Sequence, residues 1–137
     1  MHAMVFLCSR NPDPVTTRET AQRLDASEAH MSKIFQQLVR AGFVKSTRGP
    51  GGGFVLAADP DEISLKDVFE TIEGPLSGNI CLLDRPICRG SECILGDIVE
   101  KINNEIRGYL TVKKISDLSH VYAKEQQNGG KEKHHKN

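Results

Sequence analysis

The chain has 137 residues with 18 basic and 18 acidic side chains, so its formal net charge is zero. This length fits one domain with a sizeable core, and the charge balance excludes a uniformly basic protein. Trp is absent and aromatic residues make up 5% of the chain, which argues against single-strand binding by base stacking. Residues 1–48 hold seven basic and four acidic side chains, whereas residues 57–108 hold five and eleven. This sign asymmetry predicts a positive surface in the N-terminal third.

The sequence carries no recognisable signal peptide or membrane-spanning segment. Its first apolar run, residues 3–8, is far shorter than the roughly 20 residues that a spanning helix needs. We therefore predict a cytoplasmic protein without a membrane partner. Because cytosolic thiols stay reduced, the four cysteines are expected to be thiols or metal ligands rather than structural disulfides.

The N-terminal run has the composition of a buried helix but no capping residue before it. A helix normally begins with a capped turn, so we expect about ten residues, or roughly three helical turns, to be missing before Met1. Cys8 ends this run and is predicted to be a buried core thiol. Residues 11–14 contain two prolines and are predicted to form a loop.

Two short helices joined by a tight turn follow this loop. Thr16 and Glu19 have capping-box spacing and open the first helix, in which Ala21 and Leu24 face inward. Ser27 is a good N-cap for the second, more basic helix. The apolar face of that helix is formed by Met31, Ile34, Phe35, Leu38 and Val39. The pair is typical of a helix-turn-helix, and an αα-hairpin with a solvated polar face is the alternative.

A β-hairpin is predicted directly after these helices. Gly42 is placed as the C-terminal cap of the second helix. Residues 43–47 and 54–56 are predicted strands, joined by a glycine-rich turn at residues 48–53. Residues 31–56 hold four basic side chains and no acidic one. A basic helix before a basic hairpin is the layout of a winged helix-turn-helix, whose helix enters a DNA major groove.

A further helix and a long apolar stripe are predicted in the second half of the chain. Ser64 and Asp67 open the helix, and Gly74 ends it. The stripe that starts near Ile94 is interpreted as a dimer-forming helix, with packing on the chain's own core as the alternative. Its members are Leu95, Ile98, Val99, Ile102, Ile106 and Leu110. A short turn at residues 115–118 is expected to follow.

The predicted organisation has four parts. Residues 1–74 form the winged helix-turn-helix, and residues 75–93 form a cysteine-containing loop. Residues 94–120 hold the dimerisation helix and a short C-terminal helix. Residues 121–137 are polar and lysine-rich without apolar periodicity, so they are predicted to be a disordered tail.

Three cysteines, Cys81, Cys88 and Cys93, fall within the predicted loop. An odd number cannot form a complete disulfide set, and the spacing differs from the paired C-x2-C of zinc ribbons. Thiolates are the ligands of iron–sulfur clusters, whose protein loops vary in spacing. We predict an iron–sulfur cluster in its two-iron or four-iron form, with structural zinc and a thiol redox switch as open alternatives.

The motifs together resemble one known family. The wing at residues 47–54, the preceding helix-turn-helix, residues 63–68 and the three-cysteine loop are similar to the Rrf-type winged helix-turn-helix transcriptional regulators, in particular to their IscR- and NsrR-like, iron–sulfur-binding members. The likeness runs over about residues 3–118. It implies a mainly α fold with a small β-hairpin wing and a long dimerisation helix.

The resemblance also implies a function. The chain would be a homodimeric, DNA-binding regulator that grips a double-stranded operator. A cluster held by Cys81, Cys88 and Cys93 would control operator affinity in response to nitric oxide, redox state or iron status.

The resemblance places base-reading residues on the second helix of the pair. They fall on Ala29, His30, Ser32 and Lys33, and the wing arginine falls on Arg48. The residue types at 32 and 33 differ from those of IscR, so the operator sequence does not carry over. The predicted DNA-binding set also includes residues expected to contact phosphates and the glycines of the wing tip, which can approach the DNA backbone closely. The full predicted DNA-binding set is Thr16, Thr17, Ser27, Ala29, His30, Ser32, Lys33, Gln36, Arg40, Arg48, Gly51 and Gly52.

The fourth cluster ligand is open. Gly96 stands where IscR has a ligating histidine, and glycine has no side chain with which to ligate. Asp84, Glu92, Asp97 or a small molecule are the candidates.

The main alternative function is a winged-helix protein–protein interaction module with a structural zinc or redox-thiol loop. Steep salt dependence of duplex binding would distinguish the two, because phosphate contacts release counterions. An enzyme is not predicted, since no nucleophile–base pairing is recognisable and residues 49–53 lack the Lys-Ser/Thr of a phosphate-binding loop.

Overall fold

The computed structural model describes residues 1–76, 81, 83, 87, 88 and 92–123. Within these residues the fold is mainly α with one antiparallel β-hairpin, as predicted. The elements are α1 His2–Arg10, α2 Thr17–Arg23, α3 Glu28–Arg40, β1 Val44–Thr47, β2 Gly53–Leu56, α4 Leu65–Glu73, α5 Ile98–Val112, a 3-10 helix Ser116–Leu118 and α6 His120–Ala123. None of the helices in the described ranges combines the length and apolarity needed to span a bilayer.

Helix α1 forms the centre of the core. Its five consecutive residues from Ala3 to Leu7 are all buried, because β2, α6 and the 3-10 helix pack around it. A helix that is apolar on every side is expected in such a position. The core around it is completed by Val15, Phe35, Leu38, Val44, Ile63, Leu65, Val68, Leu110 and Ile115.

Cys8 departs from its predicted environment. It is half-buried rather than buried, since the fully buried run of α1 ends at Leu7. Desolvation raises the pKa of the Cys8 thiol, and the negative charge of Asp61 adds to that effect.

The helix-turn-helix is formed by α2 and α3, and both predicted caps are present. The Thr16 hydroxyl accepts the Glu19 N–H at 3.1 Å, and the Ser27 hydroxyl accepts the His30 N–H at 3.1 Å. Between the helices Asp25 has φ +50°, a left-handed conformation that a short polar residue tolerates. Val39 is 39% exposed, so its assignment to the apolar face is wrong. At about 100° per residue it lies at the edge of that face.

The wing is fixed to the core by its base. Val44 pairs with Leu56 and Thr47 with Gly53, while Val15 forms two backbone hydrogen bonds to Phe54 of 3.0 and 2.8 Å. The Phe54 ring stacks on Phe35 of α3, with ring centroids 4.2 Å apart. The wing is therefore packed directly against α3.

Helix α4 begins with the predicted capping box. The Ser64 hydroxyl accepts the Asp67 N–H, and the Asp67 carboxylate accepts both the backbone N–H and the hydroxyl of Ser64. These hydrogen bonds lower the pKa of the Asp67 carboxyl, with a smaller contribution from nearby lysines. Backbone bonds from Leu65 to Lys113 and from Ile115 to Ile63 join this segment to the end of α5.

Two predicted boundaries in the C-terminal region are wrong. Helix α5 begins at Ile98 rather than near Ile94, because residues 94–97 form a turn in which Gly96 has φ +57°. Residues 121–123 belong to α6 rather than to a disordered tail, because Tyr122 packs edge-on against Phe6 with ring centroids 5.6 Å apart. The rest of the predicted tail, residues 124–137, lies outside the described residues.

Gly53→Ala is expected to lower the free energy of unfolding by about 1–3 kcal/mol, the usual cost of overpacking. A Cβ at Gly53 would lie 2.7 Å from the Val15 carbonyl oxygen and would break the pairing that fixes the wing. Urea denaturation measures the change. Gly108→Ala is the matched control: its Cβ meets no atom within 4 Å, and the variant should gain about 0.5–1 kcal/mol. Equal effects of the two substitutions would contradict this account.

Ser64→Ala should lower the free energy of unfolding by about 0.5–2 kcal/mol near neutral pH, since it removes a helix cap. Asp67 has a lowered pKa in the folded protein, so its stabilising contribution is present above the unfolded pKa and is lost as pH falls through the folded pKa. The difference between variant and wild type should therefore shrink below about pH 4. Thermal unfolding at several pH values tests this, and Ser46→Ala, at an exposed position on β1, should change stability by less than about 0.5 kcal/mol.

Candidate nucleic-acid interface

The outer face of α3 presents most of the predicted base-reading residues to solvent. Ala29, Lys33, Gln36 and Arg40 are exposed, on the side opposite the buried Met31, Phe35 and Leu38. His30 is exposed at the edge of that face, and Ser32 is half-buried. The amphipathic pattern alone produces this arrangement, because the apolar stripe turns the polar residues outward.

The N-terminal ends of α2 and α3 contribute further polar groups. Thr16 and Ser27 are exposed and each caps its own helix, while Thr17 is half-buried. Arg18 is also exposed; the sequence analysis had not included it in the site. Its guanidinium lies 3.9 Å from the Glu28 carboxylate, so it bridges the starts of the two helices. Its charge next to Thr17 is the signal that could have identified it.

The wing tip has a glycine-dependent backbone. Gly49 and Gly51 have φ of +99° and +77°, and a Cβ on Gly52 would lie 2.5 Å from the Thr47 carbonyl oxygen. The Thr47 hydroxyl accepts the Gly53 N–H at 3.1 Å and closes the tip, leaving Arg48 exposed. The turn itself thus accounts for Gly51 and Gly52, and the absence of side chains also leaves room for another backbone.

The positive charges of this surface are unneutralised. Lys33, Arg40, Lys45 and Arg48 are all exposed, and within the described part of the chain none of them forms an ion pair. Lys45 had not been included in the predicted site; its exposure on β1 adds it to the basic surface. A helix and hairpin with four free cations can contact the phosphates of a duplex.

The three predicted metal ligands line one small cavity of about 260 Å³. Cys81, Cys88 and Cys93 share it with apolar side chains, namely Leu83, Ile87, Ile94 and Leu95. The Leu83 N–H donates to the Cys81 sulfur at 3.4 Å, and the Leu95 N–H donates to the Cys93 sulfur at 3.4 Å. Among the described residues, no three ligating side chains are close enough together to hold a single metal ion.

The cavity has the chemistry of a cluster site. Soft thiol donors, an apolar lining and N–H groups directed at sulfur are the features by which proteins bind and tune iron–sulfur clusters. Glu92 and Asp97 are exposed, and the Asp97 carboxylate lies 2.7 Å from the Lys101 ammonium. Asp84 lies outside the described residues. The fourth ligand therefore stays open.

The apolar stripe of α5 divides between two neighbouring faces. Leu95, before the helix, and Ile98, Ile102 and Ile106 on it are 38–49% exposed. Leu110 is buried in the chain's own core, and Val99 is half-buried. Their assignment to the dimer surface is therefore wrong for Leu110 and only partial for Val99. The reason is that α5 packs against α4 along the adjacent face.

Tyr109 is a member of the exposed stripe that the sequence analysis missed. It is 55% exposed and follows Ile106 by three residues, on the same face as Ile98 and Ile102. The residues of this face recur every three or four positions, and that spacing could have identified Tyr109. The exposed stripe is defined here as Leu95, Ile98, Ile102, Ile106 and Tyr109.

Comparison with known proteins gives a consistent result. Residues 1–121 match the model of the Rrf2 family, described as an iron-dependent transcriptional regulator. A Neisseria meningitidis protein described as a putative HTH-type transcriptional regulator is 33% identical over 90 residues, which cover 66% of this chain and 61% of that protein. The aligned part thus spans less than two thirds of that relative.

Two solved structures share the fold. The structure of CymR, the global cysteine regulator of B. subtilis, superposes with a TM-score of 0.69 at 27% identity, over 86% of this chain and 88% of that one. The T. potens IscR structure superposes with a TM-score of 0.68 at 25% identity, over 94% of this chain and 86% of that one. These proteins are transcriptional regulators, in agreement with the prediction that the chain is not an enzyme.

Arg48→Ala is expected to weaken duplex binding by about 1–3 kcal/mol, with the larger loss on A·T-rich flanks, where a narrow minor groove attracts arginine. Binding to duplexes that differ only in flank composition measures the preference. Lys101→Ala is the control, because this exposed cation lies on α5, away from the basic surface. An equal loss on all duplexes would mean that Arg48 contacts phosphate only.

Proposed function

Because the chain belongs to the Rrf2 family of transcriptional regulators, we propose that it is a cytoplasmic, homodimeric repressor or activator whose affinity for a double-stranded operator depends on an iron–sulfur cluster. The cluster would be held by Cys81, Cys88 and Cys93. The signal would be nitric oxide, redox state or iron status.

One observation carries this proposal. The three cysteines line a single apolar cavity, although they are spread over thirteen residues of sequence. Two of their sulfurs accept backbone N–H groups, and such hydrogen bonds to sulfur also tune iron–sulfur clusters. When bound, the cluster would supply a site that reacts with oxidants or nitric oxide.

The residues of the chain suggest how such a site affects DNA binding. Cys93 is five residues before Ile98, where α5 begins. The exposed stripe on α5 is the proposed dimer surface, so holding this segment in place would set the angle between two protomers. A regulator of this kind needs two arrangements that differ in operator affinity, and the ligand biases one of them.

The proposed DNA surface is the outer face of α3 together with the wing. His30, Ser32 and Lys33 would read base edges from the major groove, and Ala29 would contact a thymine methyl group. Thr16, Thr17, Arg40 and the two added cations, Arg18 and Lys45, would contact phosphates. Because β2 stacks on α3 through Phe54, the wing and the reading helix would dock together.

A second candidate is a winged-helix protein–protein module with a structural zinc or redox-thiol loop. The absence of a tight ligand group among the described residues favours thiol chemistry over a preformed metal site. If the chain shows no duplex binding with a steep salt dependence, this second candidate is supported.

Cys88→Ala should abolish cluster retention and leave the fold intact, because Cys88 is exposed and contributes nothing to the core. Anaerobically purified wild-type protein should absorb visible light, and the variant should be colourless with unchanged thermal unfolding. Cys8→Ala is the matched control: its thiol lies in α1, outside the cysteine cavity, so this variant should keep the colour. Colourless wild-type protein loaded with zinc would refute the iron–sulfur proposal.

A further inference from the structure

Both backbone polar groups of Leu76 are hydrogen-bonded to charged side chains. Its N–H donates to the Glu70 carboxylate at 3.1 Å, and its carbonyl accepts a hydrogen bond from the Arg107 guanidinium at 3.2 Å. The Leu76 side chain is half-buried against the main core. Glu70 belongs to α4 and Arg107 to α5, so a single residue ties the two helices together.

Leu76 stands at the entrance to the cysteine segment. It is two residues past Gly74, the C-terminal cap of α4, and five residues before Cys81. The cysteine segment is defined as residues 77–93, which lie in the sequence between Leu76 and the turn before Ile98. Arg107 is nine residues further along α5, or about 14 Å along the helix axis at 1.5 Å per residue. The cysteine segment therefore meets α5 at two separated points.

Helix α4 links Leu76 to α3, the helix proposed to read DNA bases. It packs against both α3 and α5. Ile72 and Glu73, at the end of α4, line a groove of about 410 Å³ together with polar and basic residues of α3, among them Lys33, Gln36 and Arg40. Glu70 thus lies about one helical turn from Glu73, which lines this groove together with residues of the proposed reading face.

We propose that Glu70 and Arg107 are positioning residues that hold the chain at Leu76 and so transmit the state of Cys81, Cys88 and Cys93 to α4 and α5. This inference rests on the proposed function and adds the route of its regulation. Hydrogen bonds with a charged donor or acceptor are stronger than neutral ones and are directional, so they can pass on a small displacement. The half-buried Lys66–Glu70 pair, at 3.8 Å, joins two residues of α4, so it cannot link α4 to α5.

Arg107→Gln and Glu70→Leu test the route. The probe is a duplex selected from random-sequence DNA by the wild-type protein, and its Kd is measured with loaded and with stripped protein. Wild type should differ between the two states by about 5- to 150-fold, the usual range of allosteric coupling. Both variants should keep the visible spectrum of the loaded protein, while this ratio falls by about 2- to 30-fold.

Three further variants separate positioning from charge. Glu70→Gln retains an oxygen that can accept the Leu76 N–H, so it should keep the wild-type ratio. Lys66→Gln removes the ion pair of Glu70 and should also keep it. Lys113→Gln removes a positive charge near the end of α5 without a bond to Leu76, so it is the matched control for Arg107→Gln.

A readout independent of the cluster is hydrogen exchange of the Leu76 amide in stripped protein. The amide should exchange faster in Glu70→Leu than in wild type or Glu70→Gln. Unchanged exchange in Glu70→Leu would overturn the inference, because the bond would then be absent in solution. If Glu70→Leu does not fold, Arg107→Gln decides the question alone.

Two outcomes with Arg107→Gln overturn the inference: an unchanged loaded-to-stripped ratio, or loss of the visible spectrum, which would assign Arg107 to cluster retention. Failure of the proposed function is distinguishable, because it is measured on wild type alone. Equal Kd values for loaded and stripped wild-type protein would refute the regulator itself and the inference with it.

Discussion

Burial of residues 3–7 of α1 is the constraint on which the rest of this structure depends. Five consecutive side chains of one helix lie in the core, so other elements must cover that helix on several sides. The 3-10 helix and α6 return to α1 from the far end of the chain, and β2 approaches it through the wing. The apolar surface removed from water around one helix thus joins the basic N-terminal part to the acidic C-terminal part.

This packing leaves the basic face of α3 and the wing exposed while their apolar sides join the core. Helix α3 can present cations outward because its apolar side is occupied by Phe35 and Leu38 against the core. The orientation of the wing is set by Phe54, which is hydrogen-bonded to Val15 and stacked on Phe35. The glycines at its tip contribute only to the turn. A basic surface on a rigid base suits a rigid, uniformly charged partner, and duplex DNA is such a partner.

The cysteine cavity differs from the basic surface of α3 and the wing in its composition. It is built from apolar side chains and thiols that lie in the sequence between α4 and α5. A cluster bound there would change the charge and the bonding of the cysteines. Leu76 is the described point at which such a change would reach both flanking helices.

The sequence by itself determined the helix-turn-helix, the wing and the caps at Thr16, Ser27 and Ser64, because capping, periodicity and glycine turns are local. Only the tertiary structure decided which residues of α5 face the core, since a helix with apolar residues on two adjacent faces gives no local signal for the choice. The ordering of residues 121–123 likewise depends on Tyr122 meeting Phe6, a contact between the two ends of the chain. The shared cavity of the cysteines and the double hold on Leu76 also join residues distant in sequence, and spacing alone does not encode such long-range proximity.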